Sequence, residues 1–252
     1  MDPTRIAEAA GLLAAARQAG TRIATLPAGA SPHFVREAHA IQDEVAHRTD
    51  AQVGAFKANA PTASSEGVRG LIFAPVIHTS PARFPVAEAP QCGIEGEVAF
   101  RFRRDLPPRA APYSRDEVAE GLEACVAIEV VSSRFADAEA ATKLDKLADN
   151  ISNGGLVLAA PVEDWRGLDL ARIKVRLTVN GATVVEKAGG HPIDDPLGVA
   201  VALVEMMRNA GGVKAGQYVT CGSYTGLLYF QPGDHCHVAF EGLGEAELTF
   251  SP

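Results

Sequence analysis

Glu95 and Glu97 stand two residues apart in Gly93-Ile94-Glu95-Gly96-Glu97-Val98-Ala99-Phe100. In an extended strand they share one face, with Ile94 and Val98 on the other. Glu129 sits alone in the apolar run Val126-Ala127-Ile128-Glu129-Val130-Val131, which reads as a mostly buried strand. A buried, unpaired carboxylate is costly, so such a group meets a cation or keeps its proton. Three carboxylates on two neighbouring strands, with no run of Cys or His beside them, suggest an oxygen-only site for a hard divalent cation. Mg2+ or Mn2+ suits that donor set better than zinc. The alternative for Glu95 and Glu97 is a solvated strand face.

These side chains need a sheet to hold them. The spacing predicts a helix over 2–19, with Asp2 as cap, Pro3 in the first turn and Gly20 as terminator. A second helix is expected from Ser31-Pro32, with Phe34, Val35, Ala38, Ile41 and Val45 on one stripe. A short strand around Val53–Phe56 then ends in Lys57, and the small, polar segment Thr62–Gly70 reads as a lid or loop. Leu71–Ile77 resumes strand character, interrupted by Pro75.

From about residue 90 the pattern is strand-rich. Strands are expected at Ile94–Arg103, Ala124–Val131, Gly155–Leu158 and Ile173–Val179, the last turning at Asn180-Gly181 into Val184–Glu186. Tyr218–Cys221, Cys236–Phe240 and Ala246–Phe250 close the chain as strands. Helices are expected after the capping box Ser114-Arg115-Asp116-Glu117, over Ala140–Asp149, and over Asp195–Asn209. Hairpins mix with longer crossovers, so the fold class is α+β: a helical N-terminal part on a mixed, largely antiparallel β-sandwich or roll. A division into a part spanning 1–80 and a catalytic domain spanning 81–252 is expected.

Bulk properties narrow the function. The chain has 252 residues, 47% of them hydrophobic, a net charge of -8 and a pI near 5.4. Its basic residues are scattered, which argues against nucleic acid or an anionic membrane as partner. No apolar run approaches the roughly 20 residues of a membrane span, and the N-terminus lacks the layout of a secretory signal. Cys92, Cys125, Cys221 and Cys236 show no metal-binding spacing and read as buried free thiols in a reducing compartment. A cytoplasmic protein is expected.

Several motifs, taken in order, carry a resemblance. They are Lys57-Ala58-Asn59, Gly93-Ile94-Glu95-Gly96-Glu97, Ala127-Ile128-Glu129-Val130-Val131-Ser132-Ser133-Arg134, Ala148-Asp149-Asn150-Ile151-Ser152, Gly190-His191-Pro192 and Gly222-Ser223-Tyr224-Thr225-Gly226. With the ending Pro232-Gly233-Asp234 and Phe240-Glu241-Gly242-Leu243-Gly244, the chain resembles the 2-keto-4-pentenoate hydratase branch of the fumarylacetoacetate hydrolase superfamily. The resemblance implies the fold of that family's C-terminal domain. It implies Mg2+ or Mn2+ on the carboxylates of Glu95, Glu97 and Glu129, and a small 2-oxo or 2-hydroxy acid as the ligand. It matches Lys57 to an active-site lysine that contacts substrate or moves a proton, and burial near a metal would favour its neutral, basic form.

Asp149, Asn150, His191, Ser223 and Thr225 are expected near the substrate, and a dimer or larger homo-oligomer is implied. The implied reaction is hydration of a 2-hydroxy-2,4-dienoate to a 4-hydroxy-2-oxo acid. The alternatives are decarboxylation of a 2-oxo-3-enedioate and a catalytically silent, keto-acid-binding partner. Two segments depart from the pattern. Pro75 stands where hydratases of this branch usually carry an acid, and Ala-Asn-Ala-Pro follows Lys57 in place of Ile-Gly-Leu-Thr. Pro75 cannot titrate; His78 and Glu66 are the nearby titratable groups in the sequence.

Overall fold

The structure is a computed structural model and describes residues 1–251. Helix α1 (Pro3–Ala19) starts where Asp2 Oδ1 accepts the Thr4 N–H at 2.7 Å. It stops at Gly20, whose φ of 64° lets the Gly20 and Thr21 N–H groups return to the Arg17 and Ala16 carbonyls. Its buried residues Ala9, Ala10, Leu13, Ala14 and Ala16 belong to the main hydrophobic core. Helix α2 (Val35–Thr49) begins later than Ser31-Pro32 suggests, because the Ala30 and Ser31 N–H groups close a separate turn onto the Pro27 carbonyl. Glu37 then accepts from the His33 N–H at 2.8 Å and from the N-terminal ammonium at 2.7 Å, fixing the helix entry.

The strands follow as β1 (Val53–Asn59), β2 (Val68–Phe73), β3 (Ile77–Thr79), β4 (Ala82–Pro85), β5 (Gly93–Phe102) and β6 (Leu122–Val131). After them come β7 (Asn153–Leu158), β8 (Lys174–Val179), β9 (Ala182–Ala188), β10 (Tyr218–Ser223), β11 (Leu228–Tyr229), β12 (His235–Phe240) and β13 (Gly244–Ser251). Helix α3 (Arg115–Glu120) precedes β6, α4 (Lys143–Ala148) precedes β7, and α5 (Pro196–Met207) precedes β10. Capping boxes at Ser114/Glu117 and Thr142/Asp145 start α3 and α4, and the Asp195 side chain caps α5.

Two mixed sheets result. The larger runs β2-β1-β10-β5-β6-β7-β3, with β11 paired to β5; the smaller runs β4-β13-β12-β8-β9. Pairing is parallel at β1/β10, β3/β7 and β4/β13 and antiparallel elsewhere. Residues 53–79 supply three strands of the larger sheet, so the N-terminal part shares that sheet with the residues beyond 80.

The larger sheet curls into a half-barrel. One face carries small or aliphatic side chains, Ala55, Ile72, Ala99, Cys125, Ala127, Leu156 and Leu158, which form a cluster of their own. Three alanines on the inner face leave room for that curvature. The opposite face belongs to the main core and carries Ile94, Val98, Phe100 and Phe102 from β5. Phe84, Phe240 and Phe250 of the smaller sheet belong to the same core, and all seven residues are almost fully buried. The curl closes where Gly70 of β2, the register partner of Lys57, meets the turn at 150–152; a Cβ at Gly70 would lie 2.7 Å from the Asn150 carbonyl oxygen.

Candidate metal centre

Register brings the acidic residues together. Glu95 of β5 stands directly opposite Glu129 of β6, and Glu97 opposite Ala127, all on the inner face. Lys57 of β1 is level with Thr220 of β10, which pairs in turn with Ala99 of β5. Carboxylate oxygens of Glu95, Glu97 and Glu129 lie within 4.8 Å of one another. Lys57 Nζ donates to Glu95 Oε2 at 3.0 Å and lies 3.0 Å from Glu129 Oε1. The solvated-face alternative therefore fails. Glu97 and Glu129 are fully buried, and the Glu95 side chain keeps 16% exposure, so the cluster opens at that residue.

The neighbours of the triad orient it. The Gly222 N–H donates to Glu97 Oε2 at 2.8 Å, and Asn153 Nδ2 donates to Glu129 Oε1 at 3.1 Å. Glu97 Oε1, Glu129 Oε2, Asn153 Oδ1 and Thr220 Oγ1 are buried with no hydrogen-bond partner among the described residues. Three carboxylates facing one ammonium leave negative charge in excess. Burial, then repulsion from Glu129 and Glu95, pushes Glu97 well above the ordinary carboxylate range, against the pull of Lys57 and the Gly222 N–H. Burial also raises Glu129, opposed first by Lys57. Carboxylate oxygens, all hard donors, gather within 4.8 Å of one another with an excess of negative charge, and two oxygens of the cluster lack partners among the described residues. That donor set fits Mg2+ or Mn2+.

Lys57 differs from the expectation of a readily neutralised base. Burial does favour loss of its proton, but attraction from Glu129, Glu95 and Glu97 outweighs burial and holds Lys57 above its ordinary value. The charged ammonium is the counter-ion of the acidic cluster.

The residues expected near the substrate each make hydrogen bonds to the protein. Asp149 binds the Arg134 guanidinium at 2.6 Å and accepts the Arg134 N–H at 2.8 Å. Asn150 Oδ1 accepts the Leu71 N–H at 3.0 Å, tying the turn to β2. His191 Nε2 lies 2.6 Å from the Cys221 carbonyl and Nδ1 accepts the Ile193 N–H at 3.4 Å. Burial lowers the His191 pKa, and the ring braces the backbone just before Gly222. Thr225 Oγ1 accepts the Gly96 N–H at 2.8 Å, between the two glutamates of β5, while Ser223 Oγ accepts from Gly226. These bonds tie parts of the five residues to the scaffold around the centre, while Asn150 Nδ2 and the Ser223 hydroxyl proton are not engaged by them.

The nearby titratable candidates lie elsewhere. His78 pairs with Val157 and faces away from Glu129, its ring 5.2 Å from that of Phe84. Glu66 is exposed between β1 and β2, and Pro75 is exposed in a 3-10 turn at Ala74–Val76. Sequence reasoning missed Asn153 and Thr220. Thr220 could have been found as a polar residue inside the expected strand Tyr218–Cys221, whereas Asn153 lies in a polar stretch before the expected strand and carries no such signal. Asn150, Ile151 and Ser152 all have positive φ, 53°, 55° and 57°, an unfavourable conformation for β-branched Ile151. This left-handed turn is what presses Asn150 against Gly70 and sets Asn153 beside Glu129.

Comparison with known proteins agrees with the architecture. A family model described as the fumarylacetoacetate (FAA) hydrolase C-terminal matches residues 30–251. A 2-keto-4-pentenoate hydratase of Paraburkholderia xenovorans is 31% identical over 170 residues, 66% of this chain and 61% of that protein. A 2-hydroxyhexa-2,4-dienoate hydratase of Comamonas testosteroni is 30% identical over 164 residues, 62% of this chain and 59% of the relative. The matched stretch thus spans about three-fifths of the length of these relatives. A 4-oxalocrotonate decarboxylase from Pseudomonas putida, solved with magnesium and adipate, superposes with a TM-score of 0.82 at 17% identity and covers 99% of this chain and 98% of that one. The likeness at that identity is one of fold. The match over nearly the whole chain places this protein in the fumarylacetoacetate hydrolase C-terminal family.

Proposed function

We propose that this chain is a metal-dependent lyase that hydrates a 2-hydroxy-2,4-dienoate to a 4-hydroxy-2-oxo acid. One observation carries the reading: three glutamates converge within 4.8 Å beside Lys57, and two of their buried oxygens lack partners. Glu95, Glu97 and Glu129 would hold Mg2+ or Mn2+. When bound, such an ion supplies Lewis acidity that stabilises the negative charge of an enolate.

The chain's own groups would supply positioning and proton movement. Gly222 and Asn153 hold Glu97 and Glu129 in place, and the inner apolar cluster limits water below them. Lys57 keeps a proton at Nζ while the carboxylates are charged; once they are neutralised, burial is the remaining influence and Nζ releases its proton more readily. The proton balance is simple. The dienol loses its 2-hydroxyl proton and gains one at the terminal carbon, giving a 2-oxo-3-enoate. Water then adds its hydroxyl at C4 and its proton at C3.

The second reading, decarboxylation of a 2-oxo-3-enedioate, is favoured by Pro75, which supplies no acid for hydration and is exposed. Purified protein would be assayed with Mg2+ or Mn2+, with and without chelator, on 2-hydroxypenta-2,4-dienoate and on 2-oxohex-3-enedioate. Chelator-sensitive formation of 4-hydroxy-2-oxopentanoate supports the hydratase. CO2 release from the diacid alone replaces it with the decarboxylase. Silence on both substrates, with the metal bound, leaves a keto-acid-binding protein.

A further inference from the structure

Next to Asn153 in the chain, at Gly154, a cavity of about 310 Å3 opens that shares none of the acidic residues of the candidate metal centre. It lies between the C-terminal end of α1, the segment after β6, and the residues leading into β5. Its lining includes Arg17, Arg22, Ser132, Ser133, Arg134 and Gly154. Arg17 Nη2 and Arg134 Nη2 both donate to one neutral acceptor, the Asn153 carbonyl oxygen, at 3.1 and 2.7 Å.

Two guanidiniums on one carbonyl repel each other, and only Arg134 has a carboxylate, Asp149, at 2.6 Å. Among the described residues the Arg17 guanidinium forms no ion pair; besides its bond to the carbonyl it lies over the face of Phe73, at 5.2 Å. Nor does its side chain cap the helix, which is closed by the Gly20 and Thr21 N–H groups on the Arg17 and Ala16 carbonyls. Arg22 and Glu88, both exposed, add one charge of each sign to the lining. Counting Asp149, three guanidiniums face two carboxylates, so the cavity is left one positive charge in excess.

Burial, with the nearby Arg134 charge, pushes Arg17 down to about 9. A guanidinium keeps its proton at physiological pH, so this depression reflects an electrostatic cost that the more distant Asp149 offsets only in part. An oxyanion would relieve it. A planar fork matches the two oxygens of a carboxylate or phosphate, and the volume suits a small ligand.

We propose that this cavity is an anion-binding site, separate from the acidic centre, in which Arg17 and Arg134 grip a small carboxylate or phosphate ion beside the Ser132 hydroxyl. The site adjoins the centre through one residue. The Asn153 main chain accepts from both arginines, while its side chain holds Glu129.

The test uses the full chain in EDTA, so that the acidic centre takes no part and the result is independent of turnover. Thermal melting and titration calorimetry would follow inorganic phosphate and, separately, succinate, at ionic strength matched with NaCl. Saturable binding of either anion is expected, and the stronger of the two identifies the source. Arg17→Met should weaken it by about tenfold or more, the value of a lost charged hydrogen bond. Arg17→Lys, which keeps the charge and loses the fork, serves if the Met variant does not fold and should also weaken binding. Equal titration of wild type and both variants, or a wild-type response no greater than that to NaCl, would overturn the proposal.

Discussion

Replacing Glu97 by Gln should stabilise the metal-free protein while removing its response to metal. Glu97 is fully buried and lies within 4.8 Å of two other carboxylates, with Lys57 as the shared counter-ion. At that separation, two unit charges in an effective dielectric of about 20 repel by about 3 kcal/mol. Two repulsions and one attraction act on Glu97, so about one remains uncompensated, or about 3 kcal/mol. The protein bears that cost either as repulsion or as the work of keeping a proton on a buried carboxyl. Gln preserves the volume and still accepts the Gly222 N–H. The melting temperature in EDTA should therefore rise by about 6–10 °C for a domain of this size. With Mg2+ at a hundredfold excess over its dissociation constant, wild type should gain about 3 kcal/mol and the variant less than about 1 kcal/mol. The assay is thermal unfolding of both proteins in EDTA and in MgCl2. A variant that melts lower in EDTA, yet keeps the wild-type Mg2+ increment, would refute both the charge accounting and the ligand assignment.

Lys57→Met should act with the opposite sign. It leaves three carboxylates without their ammonium, so unfolding in EDTA should become easier by about 3–5 kcal/mol, and the Mg2+ increment should exceed that of wild type. His39 provides the pH dependence. Its Nε2 accepts the Arg69 N–H at 3.1 Å, and burial, followed by the Arg69 charge, lowers its pKa to about 4. The folded value lies below the unfolded one. Stability from the neutral ring is therefore complete above about 6.5 and declines as pH falls toward 4, by about 3 kcal/mol in all. Comparing denaturant midpoints of wild type and His39→Gln between these limits checks it; parallel profiles would count against the argument. Gly70→Ala would place a Cβ 2.7 Å from the Asn150 carbonyl, with backbone on both sides. A loss of about 1–3 kcal/mol is expected from overpacking, with weaker Mg2+ binding through displacement of the 150–152 turn.

The acidic centre was legible in the chain because strand periodicity is local. Glu95 and Glu97 share a face wherever an extended strand forms, and Glu129 is conspicuous as the one charge in an apolar run. Helix α1, with Asp2, Pro3 and Gly20 at its ends, was legible for the same reason: caps and breakers act within a few residues. The start of α2 was not, since a competing turn onto Pro27 delays it. Nor was the strand order, because sheet pairing joins strands far apart in the chain, as β1 does with β10.

By itself, the sequence determined the periodic elements, the acidic composition of the centre and the family, since each rests on residue types and short spacings. Only the tertiary structure decided the register that sets Glu95 opposite Glu129, and the charge state of Lys57, which burial alone would have lowered and three carboxylates raise. It also decided which scaffold groups Asp149, Asn150, His191, Ser223 and Thr225 hydrogen-bond to, and that Asn153 links the acidic centre to an arginine-lined cavity. The physical reason is common to all of these. A side chain's charge and partners depend on groups contributed by distant strands, and no local spacing records how those strands meet.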